Sequence, residues 1–304
     1  MKRLALLALA CALSGCFVND VLIKNAALLF KEPLKVQKVE QPVRPDARLA
    51  VLWVGHATML VQMDDKIVMT DPVFTSSVGQ IQTRIVEPGL ELSKVPPIDA
   101  VVISHMHYDH LSLGTVSLLE RKIRSMVMPM GGIAYLTDVS FPVDELRAWQ
   151  SVERQGLRIT AVPVDHVGFR YGIDNDWMTT SFTGYVIEYH GLSVYFPGDA
   201  AYDGLRFAAV RERFPHLDLA LLPIAPIEPR THMRRTHLDP PEAIQAFSDL
   251  GANVMVPLHF DTFINGGDTL GIAPRLLREA AINAGLADRV LILKQGEQRV
   301  IVPK

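Results

Sequence analysis

The chain has 304 residues, of which 49% are apolar, so it is long enough to bury a large core in one domain or two. A formal net charge of −3, with no block of basic residues, gives no indication of nucleic-acid binding, and we expect no nucleic-acid partner. Both cysteines, Cys11 and Cys16, lie close to the N-terminus, so we expect no disulfide in the folded domain.

The first residues have the pattern of a targeting segment. Basic residues 2 and 3 precede an apolar run over residues 4–13, which is too short to span a bilayer as a helix. The Leu-Ser-Gly-Cys sequence that ends at Cys16 resembles the lipobox of bacterial lipoproteins, and an ordinary secretory signal is the alternative. The resemblance implies a signal peptide over residues 1–15, lipidation of Cys16 and a membrane anchor in the bacterial cell envelope. The next residue is Phe17 and not Asp, which by resemblance to lipoprotein sorting in double-membrane bacteria implies the periplasmic face of the outer membrane.

A tether and a single larger domain are predicted to follow. The tether covers residues 16–47 and is lipid-anchored if Cys16 is acylated. Its partly helical apolar pattern ends at Pro33, and the segment either packs on the domain or lies on the membrane. We place the domain at residues 48–304.

Three short strands open the domain, at residues 49–54, 58–63 and 66–70. The turn between the first two contains His56, and Asp71 ends the third. Residues 73–97 contain several turn residues and little periodicity, which is typical of a loop that borders an active site.

Four candidate metal ligands follow the next apolar strand, residues 100–103, in the sequence H-x-H-x-D-H. In an extended segment, side chains two residues apart point the same way, so His105 and His107 can bind one ion together. Asp109 and His110 follow where the chain turns, and can face a second ion. Imidazole and carboxylate donors suit zinc, or less often iron or manganese. A histidine-rich surface loop is the alternative, but α/β proteins place their sites at the C-terminal ends of strands.

This H-x-H-x-D-H motif after an apolar strand resembles that of the metallo-β-lactamase superfamily. The segments W-V-G-H-A-T-M-L-V and M-T-D-P-V-F, at residues 53–61 and 69–74, resemble the opening of one subgroup. That subgroup includes the N-acylphosphatidylethanolamine phospholipase D-like enzymes and the ascorbate-phosphate lactonase-like proteins. We interpret His56 as a residue that supports the site, with a ligand role as the alternative. Asp71 is interpreted as an acceptor that orients a ligand imidazole, with capping of the turn as the alternative.

The rest of the chain is predicted to alternate strands and helices. Residues 144–150 fit either a short strand or a helix. Asp239 is the expected N-cap of a helix that begins at Pro240, with Glu242 at the capping-box position. The other predicted helices cover residues 112–124, 205–214 and 274–284, and the other predicted strands cover residues 126–130, 157–164, 180–188, 192–196, 217–223, 253–257, 290–293 and 299–302.

Three later residues stand where the resembled family has its remaining ligands. His166 follows a predicted strand, Asp199 lies in the turn F-P-G-D-A, and His259 follows the strand that ends near residue 257. The resemblance implies a first metal site of His105, His107 and His166, a second metal site of Asp109, His110 and His259, and Asp199 as a bridge between them.

A further segment looks like the phospholipase D-like branch. It contains I-E-P-R at residues 227–230 and the helix start D-P-P-E-A at residues 239–243. In that branch a histidine at the position of His237 points at the active site, so we expect it to orient substrate or stabilise charge. Arg230, Arg234 and Arg235 are candidates to bind an anionic group, and for each one a solvated surface position is the favoured alternative. The expected catalytic residues are Asp109, Asp199 and His237.

The resemblance implies an α/β fold, a four-layer αββα sandwich, with two zinc ions per chain, iron or manganese being possible. A hydroxide bridging the ions would attack a phosphorus centre or an acyl carbonyl. The phospholipase D-like segments favour a phosphodiester such as a phospholipid. The H-F-D-T-F segment at residues 259–263 is nearer the lactonase-like pattern, so a lactonase or other cyclic ester or amide hydrolase is the alternative. A non-catalytic metal-binding envelope protein is a third hypothesis, and the full ligand set argues against it.

Overall fold

The computed structural model describes residues 16–29, 31–79, 82–171, 174 and 181–304. The helices are α1 (Cys16–Leu28), α2 (Leu113–Leu119), α3 (Gly204–Arg213), α4 (Arg230–Met233), α5 (Pro240–Leu250) and α6 (Ile272–Asn283). The strands are β1 (Ala47–Gly55), β2 (Thr58–Met63), β3 (Lys66–Thr70), β4 (Ser77–Val78), β5 (Gln82–Thr83), β6 (Ala100–Val102), β7 (Met126–Pro129), β8 (Val143–Leu146), β9 (Ser151–Arg154), β10 (Leu157–Val162), β11 (Gly184–Tyr189), β12 (Leu192–Phe196), β13 (Leu219–Pro223), β14 (Val254–Leu258) and β15 (Gln298–Pro303).

Two large sheets form the centre of the fold. Over the described residues, the first has seven strands in the order β15-β1-β2-β3-β6-β7-β8, and the second has six in the order β14-β13-β12-β11-β10-β9. Strands β4 and β5 form a separate small hairpin.

Alternating side chains place the two sheets face to face. In β1, Leu49, Val51 and Trp53 belong to the core that also contains the side chains of the second sheet, whereas Leu52 and Val54 point to the opposite side. That opposite side is covered by α2, and the outer side of the second sheet is covered by α3, α5 and α6. Helices therefore lie outside both sheets, and the predicted α/β fold with αββα layers is confirmed.

Parallel pairing brings several strand ends to one edge of the sandwich. β3, β6 and β7 are parallel in the first sheet, and β12, β13 and β14 are parallel in the second. β10 runs in the same direction as β12, because each pairs antiparallel with β11. The Thr183 N–H donates to the Ser104 carbonyl at 2.8 Å and joins the sheets just beyond β6. Residues that directly follow β6, β10, β12 and β14 consequently meet at this edge.

The tether segment contacts the domain. α1 has 13 residues and packs beside β5 of the small hairpin, and Leu34 forms a bridge with Val86. In the part of the chain that the structure describes, no helix is long and apolar enough to cross a membrane. The predicted signal peptide, residues 1–15, lies outside the described residues, so cleavage and lipidation remain predictions.

Most predicted elements are confirmed, with shifts at their ends. The capping box of α5 is present, with Asp239 as N-cap and Glu242 at its third residue. Residues 144–150 contain a strand, β8. The helix predicted over residues 112–124 is shorter, because α2 ends at Leu119 and a 3-10 turn follows over Glu120–Lys122.

One predicted strand is wrong, and three strands were not predicted, namely β9 and the short strands β4 and β5 within the predicted loop at residues 73–97. Residues 290–293 make only a single bridge, between Val290 and Met255, so their apolar side chains enter the core without forming a ladder. β9, by contrast, forms a hairpin with β10 and is mostly exposed, which removes the apolar signal that predicts a strand.

Candidate metal centre

All seven predicted ligands lie at the edge where the strand ends meet. Each lies in a segment that follows a strand of one of the two sheets. Four of them follow β6, and one follows each of β10, β12 and β14: His105, His107, Asp109, His110, His166, Asp199 and His259. Strands from both sheets therefore contribute donors to one cluster.

The first predicted site forms a compact group of donor atoms. His105, His107, His166 and Asp199 each offer one nitrogen or oxygen, and these atoms all lie within 4.8 Å of one another. His105 Nε2 is 2.8 Å from His107 Nδ1. The Nε2 atoms of His105 and His166 each lie 3.9 Å from Asp199 Oδ2.

The second predicted site forms another group beside the first. Asp109, His110 and His259 have donor atoms within the same 4.8 Å limit, and His56 belongs to this group as well. His110 Nε2 and His259 Nε2 are 3.2 Å apart. His56 Nε2 lies 2.9 Å from Asp109 Oδ2, so the histidine that was expected to support the site contacts a candidate ligand directly.

Asp199 lies between the two groups. Its Oδ1 is 3.1 Å from His259 Nε2, and its Oδ2 is 3.4 Å from His110 Nε2. The same Oδ2 is the atom that faces the first group. One carboxylate therefore reaches the donors of both predicted sites.

Hydrogen bonds to the far nitrogens fix the orientation of three imidazoles. His110 Nδ1 lies 2.6 Å from Asp71 Oδ2, the contact that the position of Asp71 led us to expect. His166 Nδ1 donates to the Thr236 carbonyl, and His259 Nδ1 donates to the Ala225 carbonyl, both at 2.9 Å. An imidazole that is neutral and has a protonated Nδ1 carries its lone pair on Nε2, so in that form each ring presents an acceptor to the cluster.

Burial and mutual charge set the protonation of these groups. Burial lowers the pKa of His105 and of His166 well below the ordinary value for histidine. Burial alone would raise the pKa of Asp199, but His259 and His110 outweigh it and hold that pKa well below the usual range. Burial would lower the pKa of His110, but Asp199, Asp109 and Asp71 outweigh it and hold that pKa well above the ordinary value. Metal ions bind neutral imidazoles and ionised carboxylates, so a metal ion would displace the proton from His110.

Two further observations indicate that the residues of the cluster can bind metal ions. His166 Nε2 is buried and makes no hydrogen bond within the described part of the chain, which costs free energy unless another group binds it. The donors are nitrogens and carboxylate oxygens, the set that suits zinc, iron and manganese.

His237 lies next to Asp199, and its side chain is partly exposed. Its Nδ1 is 3.6 Å from Asp199 Oδ2 and has no hydrogen-bond partner among the residues described. Burial lowers the pKa of His237 to about 4, so the ring is neutral at physiological pH. Arg230, in contrast, is held in ion pairs with Asp239 and Glu242 at the start of α5 rather than left free for an anion.

Sequence reasoning missed polar residues that support the cluster. Asn265 Nδ2 donates to Asp109 Oδ2 at 2.7 Å across 156 positions in the chain. Arg170 Nη1 donates to the carbonyls of Met106 and Leu111, which flank the H-x-D-H turn. Neither residue belongs to a motif or a periodic pattern, so no signal in this single sequence identifies them.

Gly198 directly precedes Asp199 in the turn that follows β12. We expect Gly198→Ala to destabilise the fold. The φ of +66° at Gly198 favours glycine, and an added Cβ would lie 2.1 Å from Ser104 Cβ. Ser104 in turn hydrogen-bonds to Asp71 and lies 2.9 Å from His105 Nδ1. We expect a loss of about 3 kcal/mol in the free energy of unfolding, measured by denaturant titration.

Gly285→Ala is the matched control for this prediction. Gly285 has nearly the same φ, +67°, but a Cβ there would meet nothing within 4 Å. Gly285→Ala should therefore lose only the free energy that it costs to place an alanine in a left-handed backbone conformation, about 1 kcal/mol. Equal losses in the two variants would show that the contact with Ser104 does not constrain the turn.

Comparison with known proteins agrees with this geometry. The family model described as Beta-lactamase superfamily domain matches residues 66–260. An uncharacterised protein of Mycobacterium tuberculosis is 35% identical over 234 residues, which are 72% of this chain and 61% of that protein. The chain thus spans less than two thirds of that relative.

Two further likenesses concern named hydrolases. The N-acyl-phosphatidylethanolamine-hydrolyzing phospholipase D 1 of Caenorhabditis elegans is 31% identical over 249 residues, covering 76% of this chain and 68% of the enzyme. The solved structure of Igni18, a metallo hydrolase from Ignicoccus hospitalis, superposes with a TM-score of 0.62 at 22% identity, over 83% of this chain and 97% of that one. The latter likeness shows the shared fold. The chain therefore belongs to the beta-lactamase superfamily and has the metallo-β-lactamase fold.

Proposed function

We propose that the chain is a dinuclear zinc hydrolase that acts on a phosphodiester, with a phospholipid as substrate. The observation that carries the proposal is the pair of adjacent donor groups joined by Asp199. The phosphodiester is supported by the 31% identity to the C. elegans enzyme, whose name states a phospholipid substrate.

Each group of donors would hold one ion. The first ion would be held by His105, His107 and His166, the second by Asp109, His110 and His259, and Asp199 would be shared by both. Bound zinc supplies Lewis acidity and lowers the pKa of water, so that hydroxide is available as a nucleophile near neutral pH.

The side chains and backbone carbonyls of the protein orient the ligand imidazoles and offer a hydrogen bond to the substrate. Asp71 and the carbonyls of Thr236 and Ala225 hold three imidazoles with their Nε2 atoms toward the cluster. His237 is neutral and its Nδ1 is unpaired among the described residues, so it can hydrogen-bond to an oxygen of the substrate beside Asp199. In the transition state that oxygen gains negative charge, which strengthens the hydrogen bond.

The membrane location is part of the proposal. Lipidation of Cys16 would anchor the chain firmly, and would place it beside phospholipids on the periplasmic face of the outer membrane. α1 starts at this cysteine and packs on the domain, so an anchor there would hold the domain close to the lipid surface.

A substrate comparison tests the proposal. Zinc-loaded full chain in detergent is given vesicles that contain N-acylphosphatidylethanolamine, and in parallel a homoserine lactone. We expect water to cleave the phosphodiester bond to the N-acylethanolamine, so that phosphatidic acid and N-acylethanolamine form in equal amounts, and we expect no turnover of the lactone. The opposite result would support the lactonase alternative, which the H-F-D-T-F segment at residues 259–263 favours.

A further inference from the structure

The loop that follows β14 brings an amide to the second donor group. Asn265 Nδ2 donates to Asp109 Oδ2 at 2.7 Å, the oxygen that His56 Nε2 also approaches to 2.9 Å. The same oxygen lies 3.8 Å from His110 Nε2 and 3.9 Å from His259 Nε2. Asn265 therefore fixes the direction in which this carboxylate faces the other donors.

The amide of Asn265 is itself held in one orientation. Gln82 Nε2, on β5, donates to Asn265 Oδ1 at 2.9 Å. Because the oxygen of the amide accepts from Gln82, its NH₂ group must be the end that faces the carboxylate of Asp109.

α1 contacts both the loop that contains Asn265 and the strand β5, whose Gln82 bonds to Asn265. Asn25 Nδ2 donates to the carbonyl of Ile264, the residue before Asn265, at 3.1 Å, and Lys24 Nζ donates to the Gly267 carbonyl at 3.3 Å. α1 also packs beside β5, which carries Gln82. The tether helix thus holds the backbone of the loop before and after Asn265.

Packing alone does not account for Asn25. Its side chain is only 1% exposed, and its Oδ1 has no hydrogen-bond partner within the residues that the structure describes. An unpaired buried oxygen costs free energy, so an apolar residue would cover the loop more favourably. An apolar residue would lose two hydrogen bonds that Asn25 Nδ2 donates, one to the Ile264 carbonyl in the loop and one within α1 to the Val21 carbonyl at 2.9 Å.

We propose that α1 is a positioning element of the metal centre. Asn25 fixes the backbone at Ile264, this fixes Asn265, and Asn265 orients Asp109 for the second ion. The inference rests on the proposed function, in which Asp109 binds that ion. If Cys16 is the membrane anchor, the anchored helix is then also a support of the active site.

The test measures zinc affinity in the full chain by competition with a chelator. Asn265→Ala should weaken the binding of one of the two ions about tenfold, as the loss of a hydrogen bond to a ligand does elsewhere. Asn25→Leu keeps the packing and removes the donor, and should weaken the same ion about threefold. Asn283→Ala, at an exposed residue at the end of α6, is the control and should leave both affinities unchanged.

The double variant Asn25→Leu/Asn265→Ala tests whether Asn25 acts on the metal centre through Asn265 or independently of it. If Asn25 acts through Asn265, Asn25→Leu should have no further effect in the Asn265→Ala background. Cobalt(II) in place of zinc gives a second readout, because its visible absorption reports coordination. Asn265→Ala and Asn25→Leu should change the same absorption band, and Asn283→Ala should change none.

Three outcomes would overturn the proposal. The first is unchanged affinity for both ions in Asn265→Ala. The second is a threefold effect of Asn25→Leu that persists in the double variant. The third is a wild-type chain that binds no zinc, which would contradict the proposed function and this proposal together, whereas the first two outcomes leave the proposed function intact.

Discussion

Asp199→Ala is expected to lower hydrolysis by at least about 10³-fold and to weaken metal binding in both donor groups. Asp199 Oδ1 faces His259 and its Oδ2 faces His110, His105 and His166, so this one carboxylate contacts donors of both groups. The variant also leaves several buried imidazoles without a nearby negative charge. Metal content by mass spectrometry and turnover of a phosphodiester, measured on the same samples, check the prediction.

Asp288→Ala is the control for this variant, because Asp288 is exposed and lies in a short turn after α6. It should keep full metal content and activity. If Asp199→Ala lost only one of two ions, Asp199 would be a ligand of a single site and the shared position would be wrong.

His107→Ala is expected to remove the first ion and to leave the fold in place. His107 Nδ1 contacts His105 Nε2 at 2.8 Å, yet the side chain is only partly buried and packs edge-on against Phe169. Truncation should therefore cost little stability while it removes one donor of the first group. We expect about one zinc per chain instead of two, and a loss of activity of at least about 10²-fold.

The control for His107→Ala is His216→Ala, at an exposed histidine between α3 and β13. It should bind zinc as the wild type does. Full metal content in His107→Ala would show that the first site is assigned to the wrong residues. A large fall in melting temperature would instead show that His107 has a structural role.

The sequence predicts the donor cluster well because most of its members have local signals. His105, His107, Asp109 and His110 lie within six positions after one apolar strand, which marks them without any knowledge of the fold. His166, Asp199 and His259 have weaker signals, since each is an isolated residue at a strand end. For these three, the prediction came from the resemblance, and the structure shows that their strand ends share one edge.

Contacts between distant segments could not be predicted in the same way. Asn25, Gln82 and Asn265 lie in different parts of the chain, and their hydrogen bonds depend on how the tether helix, the small hairpin and the loop after β14 pack together. For Arg230, the sequence leaves an anion-binding role and a solvated surface position open, and the structure shows neither. Its guanidinium is instead held by the acidic residues at the start of α5.

The most direct test of the account is the zinc content of the wild-type chain together with its hydrolysis of bis(p-nitrophenyl) phosphate. We expect about two zinc ions per chain, and turnover that a chelator abolishes and added zinc restores. Little or no bound metal in the active protein, or turnover that persists after the metal has been removed, would contradict the proposed dinuclear centre.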